Sequence, residues 1–322
     1  KTAYEIPKRD WSSDVCSSDL LIMTCPMQLV QGSSEKVASP AAYIAEAKLI
    51  AEAHREINDP ASASLLLHRP VRVLDLELQS FLRHRLKDYT LSVTALNHFL
   101  EDPYLFLESD LLQVPQSKQA SLVYGNAVHD ALRRWGMDRR EGRDQSIEQF
   151  LCSFRMYLQE REVLTDAERA ALLALGQESL PRYYHARLEG MSPAIYAVEK
   201  AISTHIGDVR IKGKLDRIDV VDMSTSDVMV LDFKTGQPKS DSEIQKPATE
   251  GGYMNQLVFY ALLMRHGLPH LSLRLCALDF VGEGNAEPVL RSYAITQEQE
   301  KELLAVVNAV WTKIHALDFT KI

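Results

Sequence analysis

The clearest pattern in the chain is a pair of apolar-rich runs, residues 209–222 and 228–233, on either side of the polar segment Met223-Ser224-Thr225-Ser226. β-Branched residues bounded by a turn cluster predict a β-hairpin. Further strands are predicted at residues 21–25, 195–202, 272–281 and 289–295, with turn chemistry at Gly282-Glu283-Gly284-Asn285. Helical periodicity marks residues 41–57, begun by Ser39-Pro40 and stopped by Asn58-Asp59-Pro60. It recurs at 74–86, just after Ser92 or Thr94, and over 124–135, 150–158, 167–184, 253–265 and 297–317. Between residues 25 and 32 we expect a polar loop, and between 236 and 252 a mobile, lysine-bearing loop. The order of elements predicts an α/β fold, a central mixed β-sheet flanked by helices with an N-terminal helical extension.

The hairpin also carries the candidate chemistry. Folding back near Ser224 and Thr225 brings Asp216 opposite, or within about one residue of, Asp232. Facing or diagonal positions on paired strands lie about 4.5–8 Å apart, near enough for two carboxylates to share a divalent cation. Asp232 and Lys234 share one face, because side chains alternate along a strand. A metal held there would stabilise charge on a phosphodiester and acidify a bound water, with the lysine beside it. The competing reading is structural: Asp216 paired with Arg217 or Lys214, and Asp232 with Lys234, as surface ion pairs.

The sequence Gly-Lys-Leu-Asp-Arg-Ile-Asp ending at Asp219, then Val-Leu-Asp-Phe-Lys-Thr-Gly ending at Gly236, then Gln256-x-x-x-Tyr260, resembles the RecB branch of the PD-(D/E)XK nuclease superfamily. The branch's earlier Gly-x-x-x-His helix is matched by Gly125 and His129. Leu215 stands where the superfamily pattern has proline, as is usual in this branch. The resemblance implies that Asp216 and Asp232, with the Phe233 carbonyl, hold Mg2+, for which Mn2+ substitutes. It further implies that Lys234 serves the attacking water and that His129 is a ligand or neighbour of the metal. Gln256 and Tyr260, at i and i+4 on one helix face, would support the site and the DNA, and Glu199 is a further candidate acid. Many relatives hold an iron–sulfur cluster with a cysteine at the position of Asp102 and three near the C-terminus. No cysteine follows Cys276 here, so no cluster is expected. The implied activity is a metal-dependent deoxyribonuclease, expected to be an exonuclease acting on single strands or processed ends in repair and recombination. The alternative is a catalytically inactive nuclease fold that binds DNA or docks a partner.

Composition and the N-terminal region add context. The chain has 322 residues, 46% of them hydrophobic, and a formal net charge of −8, which argues against a freestanding electrostatic DNA clamp. No run is long enough to span a bilayer and no signal sequence opens the chain. Four cysteines without a Cys-x-x-Cys pair suggest neither zinc nor a disulfide framework, so a cytoplasmic protein is expected, and the resemblance implies a bacterial-type, nucleoid-associated one. Residues 10–20 resemble, residue for residue, the translation of a sequencing adapter, so 1–20 is expected to be a non-native tail. Residues 21–88 resemble the end of the second motor domain of UvrD-like helicases followed by a helical linker. No P-loop is present, so helicase motor domains, or a helicase subunit, are the expected partners beside DNA. Residues 89–322 are assigned to the nuclease domain.

Overall fold

The computed structural model describes residues 28–31, 34–37, 76–115, 119–282, 284 and 286–321, the first two stretches by backbone alone. The strand predicted at 21–25 and the helix at 41–57 lie outside the described residues. The expected polar loop up to Gly32 is corrected. Strands β1 (Gln28–Gln31) and β2 (Ser34–Val37) pair antiparallel, from Gln28 opposite Val37 to Gln31 opposite Ser34. Two central apolar residues, Leu29 and Val30, suit a short ladder better than the flanking glutamines suggest.

A second compact unit runs from Asp75 to Ile322. It begins with helices α1 (Leu76–Leu86) and α2 (Val93–Glu101), then α3 (Ala120–Arg140), α4 (Ile147–Glu160) and α5 (Asp166–Tyr183). Ser92 caps α2 by accepting from the Ala95 N–H at 3.2 Å. The Asp102 carboxylate accepts from the Tyr104 N–H at 3.0 Å and caps the helical turn Pro103–Phe106.

Strands β3 (Ile195–Ile206), β4 (Val209–Asp222), β5 (Asp227–Lys234), β6 (Ser272–Phe280) and β7 (Val289–Tyr293) form one five-stranded sheet in that order. β3, β4 and β5 are antiparallel neighbours, β5 and β6 run parallel, and β7 returns antiparallel. Parallel neighbours need a crossover, which helix α6 (Tyr253–Gly267) provides; α7 (Gln297–Ala316) closes the chain. β5 is central, and its run Val-Met-Val-Leu is almost wholly buried, as a strand covered on both faces requires. The fold is therefore a mixed sheet flanked by helices, as expected. Phe233 at the end of β5 belongs to a core built with α3–α5, including Trp135, Phe154 and Tyr183. Leu257 and Leu263 of α6 are fully buried, the Leu257 carbonyl accepting from the Cys276 thiol.

The segment 236–252, expected as a loop, carries some regular structure. It contains a helical turn, Asp241–Ile244, with a capping box between Ser240 and Glu243, and Ile244 is fully buried. Tyr293 donates to Asp241 at 2.6 Å, and the Gly252 N–H donates to the Asn97 side chain at 3.2 Å. The lysines and serines of this segment set its average polarity and obscure the cap and the single apolar anchor. Among the described residues no helix is long and apolar enough to cross a membrane.

Candidate active site

The β4–β5 register pairs Arg217 with Leu231 and Ile218 with Val230. Continuing it one step sets Asp216 opposite Asp232, the juxtaposition that the sequence pattern predicts. β3 continues its ladder on the other side, with Val198 opposite Arg217 and Lys200 opposite Leu215, which sets Glu199 level with Asp216. Glu199 has φ of 52°, a left-handed conformation uncommon outside glycine and one found often at functional sites.

Helix α3 supplies His129. At Gly125 this helix runs beside the end of β5, where a Cβ would meet the Thr235 hydroxyl at 3.4 Å, an ordinary contact distance. One turn later, His129 Nε2 lies 3.1 Å from the Phe233 carbonyl and Nδ1 lies 3.5 Å from Asp216 Oδ2. The same Asp216 oxygen accepts from the Phe233 N–H at 2.9 Å. Burial lowers and the Asp216 carboxylate raises the affinity of His129 for a proton; the carboxylate prevails, so the pKa lies above the ordinary histidine value. Burial pushes Asp216 up, but His129 and the Phe233 N–H outweigh it, so its carboxyl sits below the usual range.

Asp232 lies in a second, adjoining set of contacts. Its Oδ1 accepts from the Tyr260 hydroxyl at 2.7 Å and the Gln256 amide at 2.8 Å, while Oδ2 is 2.6 Å from the Lys234 ammonium. Lys234 also donates to Gln256 Oε1 at 2.7 Å, and the Gln256 amide donates to the Tyr260 hydroxyl at 2.8 Å, closing a ring of four side chains. Burial, and Asp216 nearby, hold the Asp232 carboxyl above the usual range in spite of Lys234. Burial alone would pull Lys234 down; Asp232 outweighs it, and the ammonium is held above the ordinary lysine value.

The donor atoms of His129, Glu199 and Asp216 all lie within 4.8 Å of one another. One imidazole and two carboxylates suit a hard divalent cation. Asp232 is outside that trio, turned to Lys234, Gln256 and Tyr260. Of the surface ion pairs in the alternative reading only Asp232–Lys234 is formed, and its carboxylate is buried. Lys234 does pair with Asp232, but Arg217 pairs with Asp219 at 2.9 Å and Lys214 with Glu199, leaving Asp216 to His129. The trio opens into a cleft of about 530 Å³ that is also lined by Asn126, Asp130, Arg133, Tyr157, Lys214 and Thr235.

A sequence profile of the PD-(D/E)XK nuclease superfamily matches residues 90–321. The chain belongs to the PD-(D/E)XK nuclease superfamily. Nucleases of this superfamily generally use divalent metals, which accords with the donor trio. Among solved structures the chain resembles one from Eubacterium rectale named "Putative exonuclease", at 15% identity and a TM-score of 0.43, covering 77% of this chain and 88% of that one. It also resembles the protein named SSO0001, at 14% identity and a TM-score of 0.28, covering 76% and 87%. No curated protein matches.

Two contacts at the site, made by Thr235 and Arg217, escaped the sequence reading. Thr235, against which Gly125 packs, follows Lys234 directly in the motif and could have been found there. Arg217 is held 5.5 Å from the ring centres of both Trp135 and Phe233, and so braces the residue whose backbone binds Asp216 and His129. Nothing in the linear sequence signals that stacking.

Proposed function

We propose that this chain hydrolyses DNA phosphodiesters with a bound Mg2+, for which Mn2+ substitutes, as a RecB-type nuclease working with a helicase in DNA repair. The observation that carries the reading is the convergence of His129, Glu199 and Asp216 from three elements, beside the Asp232–Lys234 pair. These residues, with the Phe233 carbonyl, would hold the cation, Asp232 joining them from its place opposite Asp216. A cation bound there stabilises charge on the scissile phosphate and lowers the pKa of a water.

The chain's own residues account for the rest. Lys234 remains an ammonium at neutral pH, so it orients water or offsets phosphate charge rather than acting as a free-amine base. Gln256 fixes it by accepting a hydrogen bond from the ammonium, and Tyr260 fixes Asp232 by donating one. Exonuclease action on single strands or processed ends belongs to the same proposal, as do a remnant of helicase motor in residues 21–88, a cytoplasmic setting and the absence of an iron–sulfur cluster.

Magnesium titration calorimetry paired with DNA cleavage tests the assignment of roles. Lys234→Met is expected to keep magnesium binding and lose cleavage by ~10³-fold, the scale of removing a transition-state charge stabiliser. Full cleavage by that variant would remove Lys234 from the mechanism.

A further inference from the structure

The far half of the β3–β4 hairpin, beyond the cleft, has two unlike faces. Val209, Ile211 and Leu215 are buried, and a Cβ at Gly213 would stand 2.5 Å from Leu263 of α6. The alternate positions of β4 are Arg210, Lys212 and Lys214; the two lysines are exposed and the arginine partly so. The register sets His205 across from Arg210, Ser203 across from Lys212 and Ala201 across from Lys214, all three exposed. This face thus carries three cations at every second residue and small or neutral groups across from them.

The carboxylates that reach the row are few. Glu199 pairs with Lys214, and Asp88 lies 3.5 Å from Arg210, which also donates to the Lys87 carbonyl. Lys212 forms no ion pair among the described residues, and Asp208 lies in the turn between the strands. Lys214 lines the same cleft as His129, Glu199 and Asp216, so the row ends at the donor trio.

We propose that Arg210, Lys212 and Lys214 form a track for the sugar–phosphate backbone of an extended DNA single strand, leading it to the cleft. The proposal rests on the nuclease reading and adds a substrate path to it. Alternate residues of a strand repeat every ~6.6 Å, so the row spans ~13 Å and sets one basic side chain at each step of a stretched backbone. Lys212 comes without an ion pair among the described residues, and Arg210 and Lys214 exchange a carboxylate partner for phosphate. A chain of net charge −8 repels polyanions overall. A duplex, with one charge per ~1.7 Å of axis, asks more of three cations than a single strand does. Sequence-independent single-strand sites of this kind use a basic path that follows the backbone.

The test is fluorescence anisotropy of a 5′-labelled twelve-residue oligothymidylate and of a blunt duplex of equal length, in EDTA, over a KCl series with the full chain. For single strands, log K falls with log salt by ~0.7 per phosphate contact. Lys212→Gln should reduce that slope by ~0.7, and the triple change Arg210→Gln, Lys212→Gln, Lys214→Gln by ~2. Unchanged single-strand slopes in folded variants overturn the track, and a loss confined to the duplex overturns its assignment to single strands. Hydrolysis of bis(p-nitrophenyl) phosphate by the unaltered protein in magnesium probes the nuclease reading separately, because that ester does not extend along the row. Its absence alongside the predicted loss of slope would sink the nuclease reading and leave the track standing.

Discussion

A carboxylate only 3% exposed has lost its hydration, and Asp232 has three side chains in place of water, Lys234, Gln256 and Tyr260. The Tyr260 hydroxyl is itself buried, and burial, followed by the charge of Asp232, pushes its pKa well up, so it acts as a hydrogen-bond donor at all working pH values. Hydrogen bonds to charged groups contribute about 1.5–3 kcal/mol. Tyr260→Phe should therefore lower unfolding free energy by about that amount in urea titrations; an unchanged midpoint would show that the bond does not hold Asp232. Asp216, Asp232 and Lys234 were legible at this scale because strand alternation and hairpin closure follow from the spacing of residues. The orientation of Asp232 toward Tyr260 rather than the donor trio was not, since it depends on a helix 28 residues further along the chain.

Helix packing supplies two tests at the scale of elements. Gly176 of α5 faces Phe154 of α4 so closely that a Cβ would stand 2.3 Å from the ring. Overpacking costs ~1–3 kcal/mol, against about 1 kcal/mol regained in helix propensity. Gly176→Ala is thus expected to destabilise by up to ~2 kcal/mol in urea, and a gain in stability would mean that Phe154 yields freely. The second test concerns α2, where His98 lies 2.8 Å from Asp110. The hydrogen bond to Asp110 outweighs burial and raises the histidine pKa above 6.5. A raised folded-state pKa stabilises fully below the unfolded value and loses that contribution as pH rises through the folded one. The stability advantage over His98→Gln should therefore be largest near pH 5.5 and shrink above neutrality; an advantage independent of pH would contradict the pair. Apolar periodicity revealed α1–α7 and the strands of the main sheet. It did not reveal the turn at Asp241–Ile244, where one buried isoleucine sits among polar residues, nor the β1–β2 ladder.

For the molecule as a whole, the superfamily fold explains why acids from β3 and β4 meet a histidine from α3. The hairpin carries Asp216 and Asp232, the crossover helix α6 lays Gln256 and Tyr260 beside them, and the close passage at Gly125 brings His129 to the same point. The mixed sheet was legible because β5 carries the unbroken apolar run Val228–Leu231 and is followed by a helix and another strand. The left-handed Glu199 was not, because its backbone conformation arises from the ladder around it. The most direct measurement of the central claim is cleavage of end-labelled single- and double-stranded DNA by the full chain, in magnesium or EDTA, beside Asp232→Ala. The account predicts cleavage that needs both magnesium and Asp232, with single strands or processed ends preferred. Cleavage that survives EDTA or Asp232→Ala, or a folded protein that neither binds magnesium nor cuts, would contradict it.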